Sequence, residues 1–600
     1  VASIAQTKSR VLSATKIPRL KGDQEDSPAK VLARQAKVRG SKVAILFEDR
    51  QYTYAEFNRQ ATRYAKAALA LGLKKGDVAA ILMENRPEFL FIAYGLNRIG
   101  VTAALINTNL NGKSLAHVLG ASEMKALFVG AECLEHLETM ENGGPIAVGK
   151  VLVERSEHPD AALKPGMRDL VALADETSDG VFNGNPVDKG ILDDWACYIY
   201  TSGTTGLPKA GRSPNVRWFG AGYGLGGAAV GCNSSDVIYV CLPLYHASAF
   251  MLGCSFAFLH GGTLVLTRKF SASRFWDDVR KYEATVFLYI GELCRYLVAQ
   301  PPRPDDRIHK LRAMSGNGMR ADVWRQFIDR FGVEKVYEFY AATEGNCNMI
   351  NLDGTIGAIG RKFWLTKPIL NTIIVKFDQI NEEPIRNAKG FCSECDPDEP
   401  GELLGKIDPK KVTSRFDGYA DPAATEKKIL RNVLEQGDAY FRTGDLIRQD
   451  KKGYYYFVDR IGDTFRWKGE NVSTNEVADI MTQHPQIEVA NVYGVTVANA
   501  DGRAGMASIN TKGNTEPDWK SIYDFIREQL PEYAQPLFLR WQQQAELTGT
   551  FKLRKVELQK EGFNPESVKD PLYFRDTDAQ TYAPITEELY AKIMGNGVRI

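Results

Sequence analysis

Residues Tyr200-Thr201-Ser202-Gly203-Thr204-Thr205-Gly206-Leu207-Pro208-Lys209 follow directly on the apolar run Cys197-Tyr198-Ile199. A strand running into a glycine- and hydroxyl-rich turn fits the end of a strand in a layered α/β sheet, where the turn can gather its N–H groups round an anion. Gly203 and Gly206 permit close backbone approach, the hydroxyls donate hydrogen bonds, and Lys209 adds positive charge. The loop is not a Walker A motif, which needs four residues between its glycines and Lys-Ser/Thr directly after the second. Here Leu207-Pro208 intervenes, and no hydroxyl follows the lysine.

The rest of the chain repeats the strand-then-helix rhythm. Val43-Ala44-Ile45-Leu46-Phe47 reads as a strand. Thr53 and Glu56 form a capping-box pattern, Phe57, Ala61, Tyr64, Ala68 and Leu71 recur at helical spacing, and Gly72 marks the stop. Short apolar runs at 78–83, 237–242, 263–267, 285–289 and 335–340 read as further strands. Strands alternating with helices predict α/β layers. Between about 375 and 420 prolines, glycines and charges cluster, as in Asp396-Pro397-Asp398-Glu399-Pro400-Gly401, which predicts loops and hairpins of a small β subdomain.

The fold class expected is therefore α/β: a large N-terminal domain of layered α/β subdomains plus a small β subdomain, then a small α+β C-terminal domain. The division expected is an irregular arm over 1–30, a large domain over 31–458 and a small domain over 459–600.

At 600 residues the chain is too long for one ordinary domain. A net charge of +1 argues against a dedicated nucleic-acid binder. Nine scattered cysteines read as reduced thiols of a cytoplasmic protein. The single CxxC, Cys392-Ser393-Glu394-Cys395, lacks the second ligand pair of a structural zinc site and reads as an ordinary loop. No charged leader followed by an apolar core opens the chain, and its start at Val1 implies that residues precede it in the native protein. The longest apolar run, 247–259, is shorter than the roughly 20 residues of a spanning helix and is expected as a buried helix. Peripheral contact at the inner face of a membrane stays open.

Further polar turns stand out. Tyr340-Ala341-Ala342-Thr343-Glu344-Gly345-Asn346 follows a predicted strand, so that an aromatic ring, a hydroxyl and a carboxylate gather at its end. A carboxylate together with phosphate oxygens is a common setting for Mg²⁺. In Arg442-Thr443-Gly444-Asp445, read as a turn, an aspartate after glycine suits a pair of ribose hydroxyls. Val458-Asp459-Arg460, Lys468-Gly469-Glu470-Asn471 and Thr548-Gly549-Thr550-Phe551-Lys552 complete the set; each alone is also readable as an ordinary surface turn.

Taken together and in this order, these segments resemble the adenylate-forming enzymes: acyl-CoA synthetases, peptide-synthetase adenylation domains and firefly luciferase. The resemblance covers roughly residues 35 to 580. Phe339 to Asn346, Phe457 to Arg460 with Phe465 to Thr474, and Thr548 to Lys552 make it narrower, similar to the fatty acid transport protein / very-long-chain acyl-CoA synthetase family.

The resemblance implies ATP, Mg²⁺ and coenzyme A as reactants, with a fatty acid. It implies that Thr201, Ser202, Gly203, Thr204, Thr205, Gly206 and Lys209 cradle phosphates, and that Tyr340 and Ala341 meet the adenine near Gly316, Asn317 and Gly318. It implies that Thr343 touches the α-phosphate, Glu344 holds Mg²⁺, and Asp445 binds the ribose with Arg460 beside it. Lys552 is implied as the catalytic lysine, Asp459 as the hinge, Lys468 and Gly469 as parts of the thiol channel, and His246 as a residue near the acyl pocket. After Lys209 the segment Ala210-Gly211-Arg212-Ser213-Pro214-Asn215 departs from the family pattern, which leaves its orientation open. The implied activity is ATP-dependent fatty acyl-CoA synthesis. An acyl-AMP ligase loading a carrier-protein thiol and a membrane-associated fatty acid carrier are the alternatives.

Overall fold

The computed structural model describes residues 18–141, 144–178, 190–201, 208–362, 370–378, 381–412, 414–467, 470–498, 502–545, 555–595 and 598. The chain divides into two compact units. One comprises Val1–Asn371, Gly405–Arg431 and Asp438–Phe441; the other comprises Thr372–Leu404, Asn432–Gly437 and Arg442–Ile600. The expected division at 458/459 falls inside the second unit.

Two sheets form the first unit. The eight-stranded sheet runs Asn348–Ile350, Val336–Ala341, Ala313–Asn317, Val286–Ile290, Val237–Val240, Thr263–Leu266, Val43–Phe47, Arg50–Thr53, parallel except at its two edges. The seven-stranded sheet runs Arg168–Asp169, Val151–Glu154, Ala126–Gly130, Val78–Leu82, Thr102–Leu105, Trp195–Thr201, Lys209–Pro214. Interior strands such as Val286–Ile290 and Val78–Leu82 are apolar throughout, as suits parallel strands covered on both faces.

Helix Tyr54–Ala70 opens on the expected capping box, with Thr53 Oγ1 accepting from Glu56 N and the Glu56 carboxylate accepting from Thr53 N. It packs on strand Val43–Phe47 and on helix Pro87–Arg98. That second helix is buried at every position and rests on Val78–Leu82 and Thr102–Leu105 of the other sheet. Phe57, Phe91, Tyr94 and Phe258 make edge-on and tilted ring contacts in this layer.

A buried ion cluster stitches the sheets together. Arg86, fully buried, reaches Glu154 at 2.6 Å and Glu132 at 3.3 Å. Arg268, just past strand Thr263–Leu266 of the other sheet, pairs with Glu84 and Glu157.

Two expectations are adjusted. The arm expected over 1–30 is described only from residue 18, and among the described residues regular structure starts at helix Pro28–Arg39, because Ser27 caps it by accepting from Lys30 N and Pro28 suits the first turn. The run 247–259 is helical and buried, but as two wide-turned π segments, Ser248–Gly253 and Ser255–Leu259.

In the second unit, the strand residues 454–460, 442–449, 401–404 and 372–375 lie side by side. A five-stranded sheet follows in the order Ile487–Val495, Ala504–Thr511, Phe538–Trp541, Leu572–Asp576, Thr581–Pro584. Helix Thr474–Met481 packs on its first strand and Trp519–Gln529 on its last. Among the described residues no helix is long and apolar enough to cross a membrane.

Candidate active site

Strands Val237–Val240, Val286–Ile290, Ala313–Asn317 and Val336–Ala341 are parallel neighbours, so the loops leaving their C-terminal ends gather along one edge. Those strand ends and loops carry His246, Gly316 to Gly318, and Tyr340 to Glu344. Gly316 is obligatory for packing: a Cβ there would meet Tyr289 O at 2.2 Å. The strand expected to end at Tyr340 runs on through Ala341, because the two residues pair with Met349 and Asn348 of the antiparallel edge strand. The turn begins at Ala342, whose carbonyl accepts from Gly345 N. His246 accepts from Ser248 N through Nδ1 at 3.4 Å, and its carbonyl accepts from Phe250 N.

Beneath the Gly316–Gly318 turn lies a buried carboxyl. Glu338 Oε1 accepts from Met319 N at 3.1 Å, and Oε2 accepts from the Tyr289 hydroxyl. Burial pushes the Glu338 pKa up to about 8, against the opposing hydrogen bonds from Tyr289, Met319 and Gly318. Glu338 therefore holds its proton to higher pH than an exposed carboxyl does.

The phosphate-type loop leaves strand Trp195–Thr201 and returns as Lys209–Pro214. Thr201 and Lys209 are antiparallel partners, so the loop's mouth is clamped shut at its base. Ser202, Gly203, Thr204, Thr205 and Gly206 lie outside the described residues. The segment of open orientation after Lys209 is an antiparallel strand, and a Cβ at Gly211 would lie 3.6 Å from Glu344 Cβ and 3.8 Å from Thr343 Cγ2. The strand Lys209–Pro214 and the Thr343-Glu344 turn thus converge.

Side chains hold that convergence. Arg217 donates to the carbonyls of Thr343 at 2.6 Å and Glu344 at 3.1 Å, while its Nε pairs with Asp417. The Tyr419 hydroxyl donates to Glu344 Oε1 at 2.6 Å. Glu344 Oε2 has no hydrogen-bond partner among the described residues. Burial and the adjacent Glu344 carboxylate push the Tyr419 pKa far up, so the hydroxyl stays a donor. The Lys209 ammonium lies 5.8 Å from the Tyr419 ring centroid. One carboxylate oxygen held and the other open, beside a lysine, fits a single-carboxylate Mg²⁺ site completed by phosphate oxygens and water.

In the second unit Asp445 sits in mid-strand rather than in a turn. Gly444 has φ +75°, and the register slips between Leu446 and Ile447. A glycine at positive φ inside a strand re-aims the neighbouring side chain without ending the pairing. Asp445 faces Arg460 in the register, and Arg460 Nε lies 3.4 Å from its carboxylate. Asp459 is fully buried and accepts from Arg460 N, Thr474 N at 2.7 Å, Thr474 Oγ1 and Asn475 Nδ2 at 2.7 Å. Lys555 donates to Thr474 Oγ1 and pairs with Asp463 at 3.4 Å. Lys468, Gly469 and Lys552 lie outside the described residues.

Residues 32–405 match the family model described as AMP-binding enzyme, and residues 476–552 match that of the AMP-binding enzyme C-terminal domain. The chain belongs to the AMP-binding enzymes. Within them it belongs with the long-chain fatty acid transport proteins. It is 43% identical over 582 residues to long-chain fatty acid transport protein 2 of Rattus norvegicus, covering 95% of this chain and 91% of that one. With long-chain fatty acid transport protein 6 of Homo sapiens the identity is 42% over 585 residues, covering 94% and 90%.

Solved structures of AMP-binding enzymes share the fold. An anthranilate CoA ligase in complex with anthranoyl-AMP has a TM-score of 0.75 at 20% identity, covering 91% of this chain and 98% of its own. A Mycobacterium tuberculosis fatty acyl CoA synthetase has a TM-score of 0.60 at 22% identity, covering 90% and 98%.

Sequence reasoning missed Arg217, Asp417, Tyr419, Tyr289 and Glu338. Each reaches the site of this AMP-binding enzyme from a segment that carries no local motif. Tyr419 lay in the stretch read as loops and hairpins of a small β subdomain.

Proposed function

We propose that this AMP-binding enzyme is an ATP-dependent fatty acyl-CoA synthetase for long or very long acids. The observation that carries the reading is the junction of Thr201, Lys209, Thr343 and Glu344 through Tyr419 and Gly211: cationic, hydroxyl and carboxylate groups gather where a nucleotide's phosphates would lie. The names of the relatives, long-chain fatty acid transport proteins, supply the acid class.

The chemistry needs two steps. A fatty carboxylate oxygen attacks the α-phosphorus of ATP and the bond to pyrophosphate breaks, giving acyl-AMP. The thiol sulfur of coenzyme A then attacks the acyl carbon, AMP departs and the thiol proton passes to water. Joining two anions requires positive charge aimed at the pentacoordinate phosphorus. Lys209 and the loop 202–206 would hold the β- and γ-phosphates, Thr343 the α-phosphate, and Lys552 the reacting carboxylate. Tyr340 and Ala341 with Gly316, Asn317 and Gly318 would receive the adenine, and Asp445 with Arg460 the ribose. Mg²⁺ held by Glu344 would neutralise phosphate oxygens. Asp459 would be the pivot between the half-reactions, Lys468 and Gly469 would line the thiol path, and His246 would border the acyl pocket.

The test is pyrophosphate release across a ladder of fatty acids from short to very long, with and without coenzyme A. Release that needs a long acid, with AMP freed only when coenzyme A is present, is the expected result. Release of pyrophosphate with AMP retained until a carrier protein is added would favour the acyl-AMP ligase. Fatty acid binding without pyrophosphate release would overturn the enzyme reading.

A further inference from the structure

We propose that Tyr419 is a positioning residue that fixes which oxygen of Glu344 is presented to a divalent cation bound with the nucleotide. The inference rests on the functional reading above and adds to it a residue outside the segments that carried the resemblance.

A glutamate at the end of its side chain turns freely, because its terminal torsion is broad. Glu344 is only partly buried, so packing alone does not orient it. Two groups do. Arg217 grips its backbone carbonyl, and Tyr419 donates to Oε1 from a residue 75 positions away in sequence.

Tyr419 is itself well anchored. It is 5% exposed, its N–H donates to Thr425 Oγ1 at 2.9 Å, and it forms a bridge with Gly211. Its neighbours continue the strap: Arg212 N donates to Gly418 O at 3.1 Å and Ala420 N to Ala210 O at 2.9 Å. The segment 418–420 is thus fastened to the strand that begins at Lys209, and the tyrosine reaches from it to the Glu344 turn. The consequence is a fixed distribution of work: Oε1 is spent on the hydroxyl, and Oε2 is left for the metal.

The test uses full-length protein, Tyr419→Phe, and Mn²⁺ as the probe. Mn²⁺ binding in the presence of a non-hydrolysable ATP analogue is followed by electron paramagnetic resonance, and AMP binding without metal is measured alongside. Losing one hydrogen bond to a charged group should weaken Mn²⁺ about ten-fold, with AMP affinity within about two-fold of wild type by the same reasoning and the unfolding midpoint preserved. Unchanged Mn²⁺ affinity would overturn the inference, as would an equal loss of AMP binding, which marks general damage to the site. Wild-type protein that binds no Mn²⁺ with the nucleotide would instead remove the functional reading on which the inference stands.

Discussion

The buried carboxyl of Glu338 gives a pH-dependent stability whose sign and size can be worked out. Its pKa stands near 8, against an ordinary value of 4.5. A shift of that size corresponds to roughly 5 kcal/mol. Below pH 4.5 the group is protonated in both folded and unfolded chains and contributes no difference. As pH rises toward 8, the unfolded chain releases its proton and the folded chain does not, so wild type loses about 1.4 kcal/mol of stability per pH unit; above 8 the loss levels off. Glu338→Gln keeps an acceptor for Met319 N and an amide for the Tyr289 oxygen, but cannot ionise. The variant should therefore gain on wild type as pH rises, by about 2–3 kcal/mol between pH 6 and pH 8. Urea unfolding followed by tryptophan fluorescence at pH 6, 7 and 8 measures the gap. A gap that stays constant would refute the reasoning. A constant gap would mean that Glu338 is already ionised in the folded protein at pH 6, its hydrogen bonds outweighing burial.

Arg86→Met should cost about 3–5 kcal/mol, because it leaves Glu154 buried without its cation; a urea midpoint near wild type would show that the cluster contributes little. Asp459→Ala strands the donors of Thr474 and Asn475, and a loss on the order of 3 kcal/mol in the second unit's unfolding is expected, read by hydrogen exchange over 474–481. Lys552→Ala should lower adenylate formation by about 10²–10³ while leaving thiolysis of supplied acyl-AMP largely intact; an equal fall in both steps would reassign the lysine. Thr53→Ala removes the helix cap that Glu56 completes and should cost about 1 kcal/mol in thermal unfolding.

What the sequence determined by itself was local. The capping box of Thr53 and Glu56, the apolar strands at 43–47, 78–82 and 237–240, and the strand leading to Thr201 are set by residues within a few positions of one another, and their pattern is legible in one dimension. The motif residues were legible too, through their order along the chain.

Only the tertiary structure decided how those residues are held. Arg217 meets Thr343 and Glu344 from 126 and 127 positions away, and Tyr419 meets Glu344 from 75. Glu338 read as one more residue of a strand until packing against Tyr289 shut it away from water, and Asp445 read as a turn until the hairpin with Arg460 carried it into a strand. Periodicity records which face of an element is buried, but not which distant side chain the fold lays against it. Hydrogen-bond partners and desolvation, the two quantities that tune a site, are properties of that placement and are written in no single segment.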